Sequence, residues 1–220
     1  MNVLITFDDF RSADFDTIFG ITNPLSISAT SYHTTDWINT EGFLTTEQLT
    51  TLDADGWAIA NHSKTHTNFG DLTEAEIVTE LTSARDALNA LGLTKASRHH
   101  AYPYGAWNLS KIISAIKTAN MLTGRTTDAN LCDYTVNRHQ IPSYAPTNLS
   151  SAQDVIDFVE TARAGKYFAV ICFHRIVETP TEAVEFSTAN FTTVVNYLST
   201  NAISVITIDE MHDLYLKYYA

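Results

Sequence analysis

Cysteine, basic side chains and long apolar runs are all scarce in this sequence. The 220 residues contain 13 lysines and arginines against 25 aspartates and glutamates, which gives a formal net charge of −12. This surplus of negative charge argues against a nucleic acid partner, because phosphate groups would be repelled. No apolar run approaches the roughly 20 residues that a membrane-spanning helix requires. Neutral glycans remain open as partners.

The two cysteines, Cys132 and Cys172, are far apart in the sequence and lack the spacing of a metal-binding pair. Cys172 lies in an apolar stretch, where a free thiol is typically a small buried hydrophobe. No feature of the sequence demands a disulfide bond between them.

The length of the chain and its first residues bound its organisation. Residues 1–220 are predicted to form one domain, because the chain is long enough for a sizeable core and shows no internal repeat or linker. Met1 lies only a few residues before the first predicted strand, so no secretory signal is visible. We therefore expect either a cytoplasmic protein or a chain whose leader has been removed, and we expect a monomer.

An apolar run within residues 58–66 ends in two histidines, His62 and His66, which lie four residues apart. Two imidazoles at this spacing can present their nitrogens to one divalent ion. On their own they are equally typical of a surface loop. A second apolar run ends in two adjacent carboxylates, Asp8 and Asp9. Two histidines with one aspartate form a credible three-ligand metal site with one position open to water.

Strand and helix patterns alternate along the chain. The predicted strands cover residues 3–7, 25–30, 57–60, 99–101, 121–123, 168–173 and 203–207, and the predicted helices cover 45–55, 74–91, 110–118, 151–164, 188–198 and 209–218. This alternation is typical of an α/β protein with a mainly parallel sheet, either open or closed. About seven strands are fewer than the eight of a standard α/β barrel.

Polar residues directly follow four of the predicted strands. They are the pair Asp8 and Asp9, the histidines after the third strand, Tyr104 and His174. Active sites of α/β proteins form at the carboxyl ends of parallel strands, so we expect these residues to converge. A metal ion, a free carboxylate as base, a histidine as acid and a backbone N–H for an oxyanion together describe metal-assisted hydrolysis of an amide or ester.

Several of these residues also lie in recognisable motifs. The motifs are Thr6-Phe7-Asp8-Asp9, His62-Ser-Lys-Thr-His66, part of a third at Tyr102-Pro-Tyr-Gly105, and the strand end Ile171-Cys-Phe-His174. With them the sequence resembles the polysaccharide deacetylase family, the NodB-homology domain of carbohydrate esterase family 4. The first two motifs are specific when they occur together, and the resemblance covers nearly the whole chain.

The resemblance implies a fold, a site and an activity. The fold would be a distorted (β/α)7 barrel of α/β class. Asp9, His62 and His66 would bind one divalent ion, usually zinc. Asp8 would be the general base, His174 the general acid, and the backbone N–H of Tyr104 would hold the oxyanion. The substrate would be an N-acetylated or O-acetylated carbohydrate, which would yield acetate and a free amine or hydroxyl.

The sequence departs from the family pattern at two positions near the site. Phe10 stands where the family usually has glycine after the paired aspartates, and Ala101 stands where many members have an arginine that orients the base. Arg98 and Arg138 are the candidates to supply this missing charge. We favour Arg138, because its stretch of the chain can return to the site.

The fourth motif of the family, an aspartate pair followed by tryptophan, is not recognisable. Asp133 is a candidate to hold His174 in its place, although a solvated loop carboxylate is at least as typical of such a position. The usual assignment to chitin or peptidoglycan is therefore open, whereas the metal hydrolase core is complete.

Two other functions remain compatible with the sequence. One is a hydrolase of the same fold that acts on a small non-glycan amide or imide. The other is a sugar-binding domain that has lost catalysis. The presence of base, acid and all three metal ligands argues against the second, because a degenerate domain is expected to lack at least one of them.

Overall fold

Strands and helices alternate along the chain in the computed structural model, which describes residues 1–219. The strands are β1 (Asn2–Asp8), β2 (Thr30–His33), β3 (Ala58–Asn61), β4 (Ala96–Ala101), β5 (Thr123–Arg125), β6 (Ala169–Phe173), β7 (Arg175–Val177), β8 (Glu185–Ser187) and β9 (Ser204–Val205). The helices are α1 (Phe15–Thr22), α2 (Thr46–Ala54), α3 (Glu74–Ala90), α4 (Ser110–Thr118), α5 (Ala152–Gly165), α6 (Thr188–Thr200) and α7 (Ile208–Tyr219). Among the described residues, no helix combines the length and apolar character needed to cross a bilayer.

The central sheet is parallel and has seven strands in the order β5-β4-β3-β2-β1-β6, with β9 paired to the beginning of β1. The segment 138–144 links its two edges. Ile141 N–H donates to the Gly124 carbonyl of β5 at 2.9 Å, and Tyr144 N–H donates to the Val170 carbonyl of β6 at 2.9 Å. The edge strands are thus joined through one loop, which gives the distorted barrel form that the resemblance implies.

An aromatic cluster packs next to the backbone of Asp8 and Asp9, and its members are Phe7, Phe10, Trp57 and Phe173. Phe10 is fully buried, and its ring centroid lies 5.3 Å from that of Phe7 and 6.2 Å from that of Trp57. Phe173 at the end of β6 packs on the same Phe7 ring at 5.7 Å. Because Phe10 directly follows Asp9, burial of its large ring fixes the backbone that carries both carboxylates.

Local sequence signals set the beginnings of several helices. Thr45 and Gln48 form a capping box at the start of α2, and Thr73 and Glu76 form one at the start of α3, with both reciprocal hydrogen bonds present. Ser151 caps α5 in the same way. These caps confirm the predicted helix starts to within a residue.

Replacing Thr73 with alanine is expected to lower the free energy of unfolding by about 1 kcal/mol, because the Glu76 N–H in the first turn of α3 loses the hydroxyl oxygen that accepts its hydrogen bond. Urea denaturation followed by circular dichroism measures this change. Thr79→Ala is the matched control, since the exposed Thr79 hydroxyl only donates to the Ala75 carbonyl within the same helix. An equal loss in both variants would show that the cap contributes nothing beyond an ordinary surface threonine.

Several elements differ from the sequence prediction: the fourth strand begins at Ala96 and not at residue 99, and α1, β7 and β8 were not predicted. The second strand was expected at 25–30 but lies at Thr30–His33, because Asn23–Leu25 forms a 3-10 turn and Ser26 adopts the left-handed conformation with φ 52°. The fifth strand was expected at 121–123 but lies two residues later, at Thr123–Arg125. Cys132 and Cys172 are both buried and free.

Candidate active site

The carboxyl ends of the strands bring the predicted site residues to one edge of the sheet. Asp8 is the last residue of β1, and Asp9 follows it with a left-handed backbone at φ 52°. His62 follows β3, and its N–H donates to the His33 carbonyl at 2.9 Å. His174 lies between β6 and β7. The strand-end pattern of the sequence therefore predicted which side chains meet.

Asp9, His62 and His66 form a compact set, with one potential ligand atom from each lying within 4.8 Å of the others. His66 Nε2 lies 3.4 Å from Asp9 Oδ2 and 3.2 Å from His62 Nε2. Two imidazole nitrogens and a carboxylate oxygen thus point at a common centre. This donor set is the one that zinc and related divalent ions prefer.

Hydrogen bonding and burial favour the forms of His62, His66 and Asp9 that can bind a divalent ion. His62 Nδ1 lies 3.0 Å from the Ala101 carbonyl, so this nitrogen must carry the proton and the Nε2 lone pair faces the centre. Burial, followed by the neighbouring His62, lowers the pKa of His66 and so favours its neutral, ligating form. Asp9 Oδ1 is buried without a hydrogen-bond partner among the described residues. An ion would satisfy that oxygen, and the residues present therefore fit a divalent metal.

Asp8 lies beside this set but takes a different partner. Its carboxylate accepts a hydrogen bond from Nη2 of Arg125, a side chain that is entirely buried in the sheet interior. Burial alone would raise the pKa of Asp8, but the charge of Arg125, with His62 and His174, outweighs it and holds that pKa well below the usual range of a carboxyl group. Asp8 is therefore ionised at neutral pH and held in one orientation.

The arginine on Asp8 is one that the sequence reasoning missed. Arg138, the favoured candidate, lies instead in the segment that closes the sheet and lines a small cavity with Thr123 and His212. Arg98 donates from Nε to the Asn120 carbonyl. Arg125 is the last residue of β5, so it lies at the same edge of the sheet as the other site residues, but the predicted fifth strand ended at residue 123.

Arg125 enters the site beside an aromatic ring. Its guanidinium carbon lies 5.2 Å from the ring centroid of Tyr32, which is fully buried on β2. The pKa of Tyr32 is raised by this burial, so the phenol stays neutral. A planar guanidinium against a ring and a carboxylate is confined to a single orientation.

His174 lies within reach of Asp8, since one ligand atom from each and from Cys172 fall within 4.8 Å of one another. Burial lowers the pKa of His174, and the charges of Asp8 and Asp9 oppose this effect without cancelling it. Asp133 is not its partner: that carboxylate accepts hydrogen bonds from the backbone and hydroxyl of Thr135 on an exposed loop. The suggested stand-in for the fourth motif is therefore wrong.

Tyr104 lies beside His66, one of the two histidines of the set. Its ring meets that of His66 edge-on, with centroids 4.7 Å apart, and 70% of its surface is exposed. Its backbone is left-handed, with φ 55° and ψ 16°, and Gly105 continues at φ 68°. A β-carbon on Gly105 would lie 2.3 Å from Oγ1 of Thr127. The turn that carries Tyr104 therefore has no room for a side chain at the next residue.

Gly105→Ala is expected to reduce kcat/KM for acetate release about tenfold, because a shift of about 1 Å in a positioning segment is enough for such a loss. Gly92→Ala is the matched control, since Gly92 has a similar backbone at φ 83° but nothing within 4 Å of the added β-carbon. Both variants share the backbone penalty, so steady-state kinetics on the pair isolates the displacement of the Tyr104 turn. Equal losses of kcat/KM in the two variants would contradict an effect of displacing the Tyr104 turn.

Comparisons with known proteins agree with this geometry. The model of the polysaccharide deacetylase family matches residues 1–123. No curated protein matches the sequence. Among solved structures, a family 4 carbohydrate esterase from Streptomyces lividans in complex with acetate superposes with a TM-score of 0.65 at 18% identity, covering 93% of this chain and 91% of its own.

Two further structures show the same likeness. A family 4 acetyl xylan esterase from Clostridium thermocellum, in complex with a cobalt ion, has a TM-score of 0.66 at 15% identity and covers 97% of this chain and 91% of its own. The peptidoglycan deacetylase PdaC from Bacillus subtilis has a TM-score of 0.62 at 15% identity and covers 99% and 92%. These structures confirm the expected fold, and the family match spans more than half of the sequence. The chain belongs to the polysaccharide deacetylase family.

Proposed function

We propose that this protein is a metal-dependent hydrolase that removes acetyl groups from an acetylated carbohydrate. One observation carries the proposal: a His, His, Asp ligand set lies directly beside an ionised aspartate, Asp8, that is held by a buried arginine. Family membership supports deacetylation of carbohydrates in general. The residue roles and the metal are the finer part of the proposal.

Asp9, His62 and His66 would hold the ion, and zinc is the one we expect, although other divalent ions suit the same ligands. A divalent ion in this position supplies a Lewis acid for the acetyl carbonyl and acidifies a water molecule. The fixed Nδ1–H of His62 keeps its other nitrogen aimed at the centre.

Asp8 acts as the general base in this proposal. Its low pKa keeps it deprotonated, and the hydrogen bond from Arg125 leaves Oδ1 free to accept a proton from the attacking water. Arg125 acts as a positioning residue, since it contacts the base and not the substrate.

His174 and Tyr104 complete the reaction. Protonated His174 donates a proton to the departing amine or hydroxyl, and its lowered pKa makes it a stronger acid in that form. The backbone N–H of Tyr104 donates to the oxyanion that develops on the acetyl carbonyl. The products are acetate and the free amine or hydroxyl of the sugar.

The proposal is tested by measuring metal content and acetate release on the same purified protein. The substrates are acetylated chito-oligosaccharides, acetylated xylan and an aryl acetate, each with and without chelator. One bound divalent ion with chelator-sensitive acetate release from a glycan is the expected result. Bound metal without acetate from any glycan would favour a small amide substrate, and metal-free folded protein would contradict the site.

His62→Ala is expected to weaken metal binding at least about tenfold, because it removes one of three protein ligands. Metal content after equilibrium dialysis measures the change. His139→Ala is the matched control: it also removes a largely buried imidazole, but that ring contacts the Met121 carbonyl and lies outside the ligand set. Full metal content in His62→Ala would place the ion elsewhere.

A further inference from the structure

A cleft borders the candidate site, and Tyr104 is not among its lining residues. It has a volume of about 170 Å³ and shares Asp9 and His174 with the catalytic set. Its other lining residues are Arg11, Arg175, Glu182 and Val184. A sugar whose acetyl group reaches the ligand set can extend into this cleft, so the charges on its walls bear on substrate choice.

Arg11 is held in this cleft by aromatic rings. Its guanidinium carbon lies 3.8 Å from the ring centroid of Phe43 and 6.0 Å from that of Trp37. The backbone is fixed as well, since Arg11 and Phe43 form an antiparallel bridge and Ser12 N–H donates to the Gly42 carbonyl at 3.2 Å. None of the ion pairs among the described residues includes Arg11.

Arg175 lines the same cleft but its charge is already compensated. Its Nε lies 2.7 Å from Asp14 Oδ2, and its Nη1 lies 4.0 Å from Glu185 Oε1. The charge of Glu182 also contributes to raising the pKa of Arg175, which places this carboxylate on the same wall. Arg175 is therefore already paired with acidic side chains, whereas Arg11 is in none of the ion pairs formed by the described residues.

We propose that Arg11 binds a carboxylate of the substrate, so that the acetylated carbohydrate contains an acidic sugar. This inference rests on the proposed function and narrows its substrate class. A guanidinium that packs against a ring has restricted orientations and keeps its N–H groups for hydrogen bonds to a carboxylate. In a protein of net charge −12, an acidic glycan needs such a local cation to bind near the reacting centre.

The test compares acetate release from two forms of one oligosaccharide. The first is O-acetylated oligogalacturonide with free carboxylates, and the second is the same material after methyl esterification of those carboxylates. Assays at about 0.15 M salt, where the screening length is about 8 Å, suppress repulsion from distant acidic residues. The wild type is expected to show a kcat/KM about tenfold higher for the free acid, as one charged hydrogen-bonded pair would give.

Arg11→Gln is expected to bring that ratio to about one. The ratio is insensitive to partial unfolding or metal loss, because both forms are assayed on the same enzyme. Arg163→Gln is the control, since Arg163 pairs with Glu160 on α5 and is not among the residues that line this cleft; the ratio should stay at the wild-type value. Equal rates for the two forms in the wild type, or an unchanged ratio in Arg11→Gln, would overturn the inference.

Two further arms keep the result interpretable. A lactyl carboxylate on a muramyl sugar offers the same chemistry as a uronic acid, so N-acetylmuramyl oligosaccharides with free and amidated lactyl groups separate these two sources. If only neutral glycans release acetate, non-acetylated oligogalacturonides and their methyl esters are compared as inhibitors, and equal inhibition overturns the inference. No acetate from any substrate would contradict the proposed function itself.

Discussion

Replacing Arg125 with methionine is expected to remove about 3–5 kcal/mol of folding free energy and most of the catalytic activity. Arg125 is entirely buried, and Asp8, to which it donates a hydrogen bond, is only 3% exposed. Methionine fills much of the same volume but leaves the buried Asp8 carboxylate without the cation that it is paired with. Urea denaturation of chelator-treated protein measures the loss without a contribution from bound metal.

The double variant Asp8→Asn/Arg125→Met separates the charge effect from packing. Removing both charges leaves no uncompensated ion, so the double variant is expected to be more stable than Arg125→Met alone while remaining inactive. Arg138→Met is the control, because the structure places this side chain beside His212 and away from Asp8. A loss of less than about 1 kcal/mol in Arg125→Met would mean that the buried Arg125–Asp8 pair contributes no more to the free energy of unfolding than a surface ion pair.

The placement of Arg125 also shows where sequence reasoning stops. The site motifs at the ends of β1, β3 and β6 could be predicted, because in each of them an apolar run and its polar end are adjacent in sequence. At β5, Gly124 and Arg125 look like turn residues, and they become a strand only because Gly124 pairs with His100 and Arg125 with Ala101 of β4. Such a boundary is set by a tertiary partner, so local propensity placed it two residues early.

The cleft beside the site depends on contacts of the same non-local kind. Arg11 and Phe43 are paired by an isolated bridge, and β7 pairs with β8 across the connection 178–184, and neither strand has a strong strand signal of its own in the sequence. By contrast, the capping box of α3 and the Phe7–Phe10 contact beside Asp9 each join residues that lie three positions apart in the sequence. The strand ends that carry Asp8, Asp9, His62 and His174 were therefore predictable, whereas Arg125 and the walls of the cleft were not.

Asp8→Asn is expected to lower kcat for acetate release by about 10²- to 10⁴-fold while metal content stays near the wild-type value. Asparagine keeps the shape of the side chain but cannot accept the proton that the proposed reaction transfers. The ligand set of Asp9, His62 and His66 does not include Asp8, so the ion should remain. Metal analysis and kinetics on the same preparation, with circular dichroism to confirm folding, measure both quantities.

Asp14→Asn is the matched control, because it tests whether a loss of stability alone lowers kcat. Asp14→Asn removes a carboxylate that is 4% exposed and paired with Arg175 at 2.7 Å, so it also breaks a mostly buried ion pair. We expect that variant to lose stability but less than about tenfold in kcat, because Asp14 lies outside the set of reacting groups. Near-normal turnover in metal-replete Asp8→Asn would mean that another group takes the proton. A fall confined to Asp8→Asn would instead assign that step to the one carboxylate that lies beside the metal ligands and is held ionised by a buried arginine.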